Sequence, residues 1–163
     1  MIDSIKIKDI MDEDFQDYKI ASMMIAFCTC DWKCAKDGNF PETICQNCSI
    51  AKQKTHTVKI EDIYNRYINN HITSAIILGG LEPMLQFEEV VALISYFRNK
   101  GCNDTFVIYT GYYEHEISDK IDILSPYRNI ILKLGRYKPN KDKYYNNLLG
   151  VYLANEEQYA IEL

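Results

Sequence analysis

Apolar residues fall into four short runs, each bounded by polar residues or by glycine. A continuous apolar run of strand length is typical of a strand buried on both faces of a parallel sheet. Each run stands directly before a segment that carries cysteine, glycine or a polar side chain. The pattern predicts β-strands at residues 19–27, 73–78, 105–109 and 129–134.

Between these runs, apolar residues recur at helical spacing. Strands that alternate with helices indicate βαβ units and a parallel sheet. The sequence therefore predicts an α/β fold that forms a single domain over residues 1–163. The predicted helices span residues 61–70, 87–100 and 114–123. Three further short strands are predicted at residues 5–10, 148–153 and 158–163, the last two joined by a turn at residues 154–157.

A distinct segment follows each of the four buried strands. The first strand leads into a cysteine-rich segment, residues 28–48, which we call the cysteine loop. The other three lead into Gly79-Gly80, Thr110-Gly111 and Gly135-Arg136. Because functional sites of parallel α/β folds lie at the carboxyl ends of the strands, we expect these four segments to form one site.

Composition and charge exclude several classes of function. The chain has 163 residues and a formal net charge of −5, and it lacks the basic stretch typical of nucleic-acid binding. No apolar run is long enough to cross a membrane, and the charged N-terminus does not resemble a secretory signal. We therefore expect a cytoplasmic protein. In that compartment clustered cysteines more often bind metal or act in redox chemistry than form disulfides.

Five of the six cysteines lie in the cysteine loop, which indicates a metal centre. Thiolates bind both zinc and iron–sulfur clusters. The pair Cys45 and Cys48 has the spacing of a zinc knuckle, whereas the pair Cys30 and Cys34 has a less usual spacing for zinc. Residue types alone leave both metals open. Cys102 stands apart, before a predicted strand, and is expected to be an inert buried thiol.

The segment Cys30-Asp31-Trp32-Lys33-Cys34 resembles the opening of the CxxxCxxC signature of radical S-adenosylmethionine (radical SAM) enzymes. The third signature position is occupied by Asp37. Further on, Cys45-Gln46-Asn47 resembles the Cys-His-Asn stretch of the anaerobic ribonucleotide reductase activating proteins. The resemblance implies that Cys30, Cys34 and Cys45 bind a [4Fe–4S] cluster, with Cys48 as the alternative third ligand, and that residues 35–44 are an insertion.

Later segments resemble the same family. Leu78-Gly79-Gly80-Leu81-Glu82-Pro83 is similar to its Gly-Gly-Glu-Pro motif, with one extra residue, and Tyr109-Thr110-Gly111 is similar to its Tyr-Thr-Gly strand end. The resemblance implies that these segments bind S-adenosylmethionine. The cofactor-binding residues would be Gly79, Gly80, Leu81, Glu82, Tyr109 and Thr110.

The fourth strand departs from the family. The acidic residue that the family carries there is replaced, and the strand instead bears Lys133, followed by Arg136. A carboxylate is one possible partner for either cation, but we expect both side chains to be solvated on the surface.

The resemblance also implies a fold and a function. The fold would be an incomplete (βα) barrel with mostly parallel strands. The protein would cleave S-adenosylmethionine reductively, with an electron from flavodoxin or ferredoxin, and generate a glycyl radical on a large partner enzyme. No catalytic group beyond the cluster and S-adenosylmethionine is implied. Two alternatives stay open: a radical SAM enzyme that modifies a peptide or small molecule, and a non-catalytic zinc-stabilised binding module.

Overall fold

The computed structural model describes residues 1–163 and contains two β-sheets. The strands are β1 (Ser4–Asp14), β2 (Ser22–Phe27), β3 (His56–Lys59), β4 (Ala75–Gly80), β5 (Thr105–Tyr109), β6 (Ile130–Leu134), β7 (Tyr144–Asn146), β8 (Val151–Leu153) and β9 (Tyr159–Glu162). Seven of them form one sheet in the order β3-β1-β2-β4-β5-β6-β9, and β7 and β8 form a separate hairpin.

The helices are short and few. They are α1 (Lys33–Gly38), α2 (Cys48–Ala51), α3 (Ile60–Ile68), α4 (Phe87–Asn99) and α5 (Ser118–Leu124). Three single turns of 3₁₀ helix add Glu42–Ile44, Pro83–Gln86 and Glu114–Glu116. The predicted third helix is thus split into a 3₁₀ turn and α5. None of the helices combines the length and apolar character needed to span a bilayer.

The four predicted buried strands form the centre of the sheet as β2, β4, β5 and β6. They pair in parallel in that order. In β4 and β6 every residue is buried, which agrees with the mostly apolar sequences of the two strands. The carboxyl ends of all four strands therefore lie at one edge of the sheet.

The predicted (βα) barrel is wrong. The sheet is mixed, because its outer strands β1, β3 and β9 pair antiparallel with their neighbours. A short connection joins β1 to β2, and such a connection permits antiparallel pairing, whereas parallel pairing requires a long crossover. The two predicted tail strands also do not pair with each other: β8 pairs with β7, while β9 lies beside β6.

The two faces of the main sheet are covered unequally. Alternate residues of a strand point to opposite faces. Ile76, Phe106 and Leu132 belong to the larger core, which is closed by α3 and α4. Their neighbours Ile77 and Val107 belong to a smaller core on the other face, which is covered by the β7–β8 hairpin and the segment around Tyr18. This thinly covered face holds the candidate site.

Candidate functional site

A cavity of about 240 Å³ opens on the thinly covered face at the carboxyl ends of the parallel strands. We call it the site cavity. Segments that are distant in sequence meet there, as expected from the glycine-ended strands. Every residue predicted for the site except the alternative ligand Cys48 lines it, namely Cys30, Cys34, Cys45, Gly79, Gly80, Leu81, Glu82, Tyr109 and Thr110.

Two of the three cavity thiols receive a hydrogen bond from a backbone N–H group. Trp32 donates to Sγ of Cys30 over 3.3 Å, and Tyr137 donates to Sγ of Cys34 over 3.4 Å. The backbone N–H of Asn47 acts on the third thiol, Cys45, and lowers its pKa. The hydrogen bond to Cys30 is possible because Trp32 adopts a left-handed backbone conformation, with φ of 58°, directly before α1. N–H donors to sulfur favour the thiolate form and tune the potential of a cluster bound to it.

The other cysteines lie outside the cavity. Cys48 begins α2, and its S–H donates to the carbonyl oxygen of Thr43 over 3.3 Å. Cys28 is half-buried at the start of the cysteine loop. Cys102 follows α4 and, although it was predicted to be buried, is only partly so. The structure therefore separates Cys45, which faces the cavity, from its neighbour Cys48, which does not.

Direct hydrogen bonds join the cysteine loop to the segment that follows β4. The N–H of Glu82 donates to the carbonyl oxygen of Thr29 over 2.8 Å. The side-chain oxygen of Gln86 accepts from both Cys28 and Thr29, over 2.9 and 3.1 Å. Gln86 was not predicted as a site residue, since a lone glutamine after a turn carries no sequence signal.

Glu82 is buried and faces the cavity. One carboxylate oxygen accepts from the N–H of Met84 over 3.0 Å, and the other accepts from the N–H of Gly111 over 2.9 Å. Burial raises the pKa of this carboxyl to about 7, although the two N–H donors oppose the shift. Each oxygen retains a second lone pair. A carboxylate held in this way is suited to receive a cationic group from the cavity.

A family model for a 4Fe–4S single cluster domain matches residues 22–152, which is most of the chain. The chain belongs to the 4Fe–4S single cluster domain family. None of the curated proteins is similar enough in sequence to match it. The matched range begins at β2, contains the whole cysteine loop and ends in β8.

The cavity thiols of this iron–sulfur protein suit a cluster better than a single metal ion. No three His, Cys, Asp or Glu side chains lie close enough together to bind one ion. A structural zinc site requires four ligands around one point. Cluster ligands, in contrast, bind separate irons and surround the whole cluster. Three thiols that line one cavity, two of them with an N–H donor to the sulfur, fit that arrangement.

Burial raises the pKa of each of these three thiols, that of Cys30 to about 12. Metal ligation requires thiolates, so cluster binding releases protons from these groups. The N–H donors lower the pKa and therefore work in the same direction as the metal.

Arg136 anchors the cysteine loop of the iron–sulfur protein. The expectation that it is solvated is wrong, since its side chain is 4% exposed. Its guanidinium donates to Glu116 over 2.6 and 2.7 Å, to the carbonyl oxygen of Gly111 over 2.5 Å and to Asp37 over 2.9 Å. The contact with Asp37 ties the cysteine loop to the strand ends, and it accounts for the aspartate at the third signature position. The Arg136 guanidinium also holds the pKa of the Glu116 carboxyl well below its usual range.

Lys133 is likewise buried, which overturns its expected surface position. It lies opposite Tyr109 in the register of β6 and β5, and it lines the cavity. Hydropathy alone places lysine and arginine on the surface. The only sequence signal for burial was position: Lys133 lies within an otherwise apolar strand, and Arg136 lies two residues beyond its end.

Gly111 permits the close approach of β5 to the cysteine loop. A Cβ atom at this position would lie 2.8 Å from Sγ of Cys34 and 3.7 Å from a carboxylate oxygen of Glu82. We therefore expect Gly111→Ala to displace the Cys34 thiol and to lower the iron and sulfide bound per chain severalfold. Gly79→Ala is the control, because its Cβ would meet only ordinary contacts at 3.4 Å or more. Equal iron content in the two variants would contradict this role of Gly111.

Proposed function

We propose that Cys30, Cys34 and Cys45 bind a [4Fe–4S] cluster and leave one of its irons free for a second ligand. The observation that supports this assignment is that these three thiols line one cavity together with Glu82. Cys48 lies outside that cavity and is engaged with Thr43, which favours Cys45 as the third ligand. Three ligands in place of four leave one coordination position for a substrate or cofactor.

We infer that the second ligand is S-adenosylmethionine. The cavity offers the chemistry for its methionine portion: a buried carboxylate at Glu82 and a glycine turn that lets a ligand approach the backbone. Gly80 is part of this turn. Its φ of 78° and its packing against β2, where a Cβ would lie 2.7 Å from the Cα of Ala26, both require glycine at this position. These residues and the sequence motifs support S-adenosylmethionine as the ligand, and neither requires a (βα) barrel.

The residues of the cavity orient and shield the bound groups. Glu82 would hold the ammonium group of the ligand, and Gly79, Gly80 and Leu81 would present backbone to it. Thr110 is buried and its N–H donates to the carbonyl oxygen of Lys133 over 2.8 Å, which fixes the end of β5 against β6. The Tyr109 hydroxyl donates to the carbonyl oxygen of Asp17 over 2.5 Å and closes the cavity wall.

Cys30, Cys34 and Cys45 would hold the cluster and Glu82 the ligand; with an electron from a flavodoxin or ferredoxin, the bound groups would supply reductive cleavage of the sulfonium to methionine and a 5′-deoxyadenosyl radical that could take a hydrogen atom from the substrate. We propose that this substrate is a glycine of a large partner enzyme, as in anaerobic ribonucleotide reductase activation, in the cytoplasm.

Residues 1–163 would act as one domain, which is supported by the presence of both β1 and β9 in the main sheet.

Radical transfer tests the choice of substrate. The reduced, cluster-loaded protein is incubated with S-adenosylmethionine and a glycyl-radical enzyme encoded beside it. The expected result is an electron paramagnetic resonance signal from a glycyl radical on that enzyme, formed together with 5′-deoxyadenosine. Formation of 5′-deoxyadenosine without a radical on any such enzyme would instead support modification of a peptide or small molecule.

The role of Glu82 is tested by Glu82→Gln. This change removes the charge but retains the size and one carbonyl oxygen as an acceptor, so the turn is expected to persist. Loss of a charge-assisted hydrogen bond should weaken S-adenosylmethionine binding about 10-fold or more. Glu88→Gln removes an exposed carboxylate and is expected to leave the affinity unchanged. Equal affinities of Glu82→Gln and the unaltered protein, measured by anaerobic titration calorimetry, would contradict this role.

A further inference from the structure

The cysteine loop leaves the main sheet where β1 and β2 part. Ile7 of β1 pairs with Phe27, the last residue of β2. If the antiparallel ladder continued, Cys28 would lie opposite Lys6. The chain instead turns away, and Cys30, two residues further on, lines the site cavity. The backbone groups of Cys28 and Lys6 therefore take partners other than each other.

The side chain of Gln86 fills the gap between the parted strands. Its oxygen accepts from the N–H groups of Cys28 and Thr29 over 2.9 and 3.1 Å. Its amide nitrogen donates to the carbonyl oxygen of Lys6 over 2.9 Å and to the carboxylate of Glu89 over 2.8 Å. Glu89 in turn accepts from the N–H of Lys6 over 2.9 Å. Gln86 and Glu89 together thus satisfy backbone groups of both β1 and the cysteine loop.

We propose that Gln86 is a positioning residue whose carboxamide continues the ladder in place of backbone and directs the cysteine loop from the sheet to the cluster site. Like a peptide group, a carboxamide carries both an N–H donor and a carbonyl acceptor. The contact extends into the site, because the carbonyl oxygen of Thr29 accepts from the N–H of Glu82 over 2.8 Å. Gln86 thereby fixes the segment directly before Cys30 and, through that segment, the backbone at Glu82. Its effect on the cluster rests on the proposed function, in which Cys30 is the first ligand.

Three variants separate the donor of this carboxamide from its acceptor. Gln86→Met keeps the length of the side chain but offers neither group. Gln86→Glu keeps an acceptor for the two loop N–H groups, but it loses the donor and repels Glu89. The combination of Gln86→Glu with Glu89→Gln restores a donor to the pair and returns its charge to that of the unaltered protein. Ser95→Ala is the matched control, because it removes a hydrogen bond of 2.6 Å between α4 and Tyr127, which lies outside the cysteine loop.

Amide hydrogen exchange on the full chain, purified anaerobically, measures how firmly the loop is held. Gln86→Met is expected to speed exchange of the Cys28 and Thr29 amides about 10-fold, because both lose their acceptor. The amide of Glu82, whose acceptor is the Thr29 carbonyl, should exchange faster as well, whereas those of β4 should not change. Gln86→Glu should lose most of the protection, and the combined variant should recover it to within about 2-fold.

Release of iron to a chelator tests the consequence for the cluster. Gln86→Met is expected to release iron about 10-fold faster than the unaltered protein, because the backbone before the first ligand is no longer held. The midpoint potential of its cluster should also shift, since the loop sets the N–H contact from Trp32 to Cys30. Ser95→Ala should match the unaltered protein in both measurements, and the combined variant should approach it.

Other outcomes separate the positioning role from the proposed function. Unchanged exchange of the Cys28 and Thr29 amides in Gln86→Met would overturn the role of Gln86 and leave the ligand set untouched. Equal iron release from Gln86→Met and Ser95→Ala would also overturn it, since stability alone would then explain the loss. If the unaltered protein binds no cluster, the proposed function fails, while amide exchange still decides the role of Gln86. If Gln86→Met does not fold, the comparison of Gln86→Glu with the combined variant decides it, and equal exchange in those two proteins would contradict the role.

Discussion

Replacement of Cys30, Cys34 or Cys45 by alanine is expected to abolish binding of the iron–sulfur cluster. Each of these thiols lines the site cavity, and those of Cys30 and Cys34 accept an N–H hydrogen bond. With one thiolate missing, a cluster that already lacks a fourth protein ligand would be held by two. Anaerobic purification followed by iron and sulfide analysis and a visible spectrum measures the loss.

The remaining cysteines provide the controls for this series. Cys102→Ala and Cys28→Ala remove thiols that lie outside the cavity, and both are expected to retain full iron content. Cys48→Ala distinguishes the two candidate third ligands. If Cys48→Ala loses the cluster while Cys45→Ala retains it, the proposed ligand set is wrong.

Arg136→Met is expected to lower the free energy of unfolding by about 2 to 3 kcal/mol, because it removes a buried guanidinium and leaves the half-buried Glu116 and the carbonyl oxygen of Gly111 without their charged donor. The guanidinium joins Glu116, Asp37 and the carbonyl oxygen of Gly111, and thus connects three segments of the site. The variant should also lose iron more readily, since the cysteine loop is released at Asp37. Chemical denaturation followed by circular dichroism, together with iron analysis, measures both effects.

Arg66→Met is the matched control for Arg136→Met. Arg66 pairs with Asp12 over 2.6 Å, but both side chains are largely exposed, at 47% and 42%. An exposed ion pair contributes less than about 1 kcal/mol. A comparable loss of stability in the two variants, or unchanged iron content in Arg136→Met, would show that Arg136 does not anchor the loop.

The centre of the fold could be predicted because its strands are buried on both faces. The runs at residues 73–78 and 129–134 are mostly apolar, and they form β4 and β6. Strand direction could not be predicted in the same way. The residues of β9 carry no signal that distinguishes pairing with β6 from a hairpin with β8. The choice depends on which strand has a free edge in the folded sheet.

Charged residues of the site were the hardest to predict. Lysine and arginine are typical of surface positions, and the burial of Lys133 and Arg136 depends on segments that are distant in sequence. Arg136 is buried because Glu116 and Asp37, from two other segments, converge on it. The cysteines and the Gly79-Gly80 turn, in contrast, belong to local motifs, so they were recognisable before the fold was known.

Reductive cleavage of S-adenosylmethionine tests the proposed chemistry most directly. The reconstituted, cluster-loaded protein is reduced with dithionite in the absence of any partner, and the products are separated by chromatography. The expected products are 5′-deoxyadenosine and methionine in equal amounts, with none formed by Cys34→Ala. Absence of 5′-deoxyadenosine from protein that carries a full complement of iron and sulfide would contradict a radical SAM function.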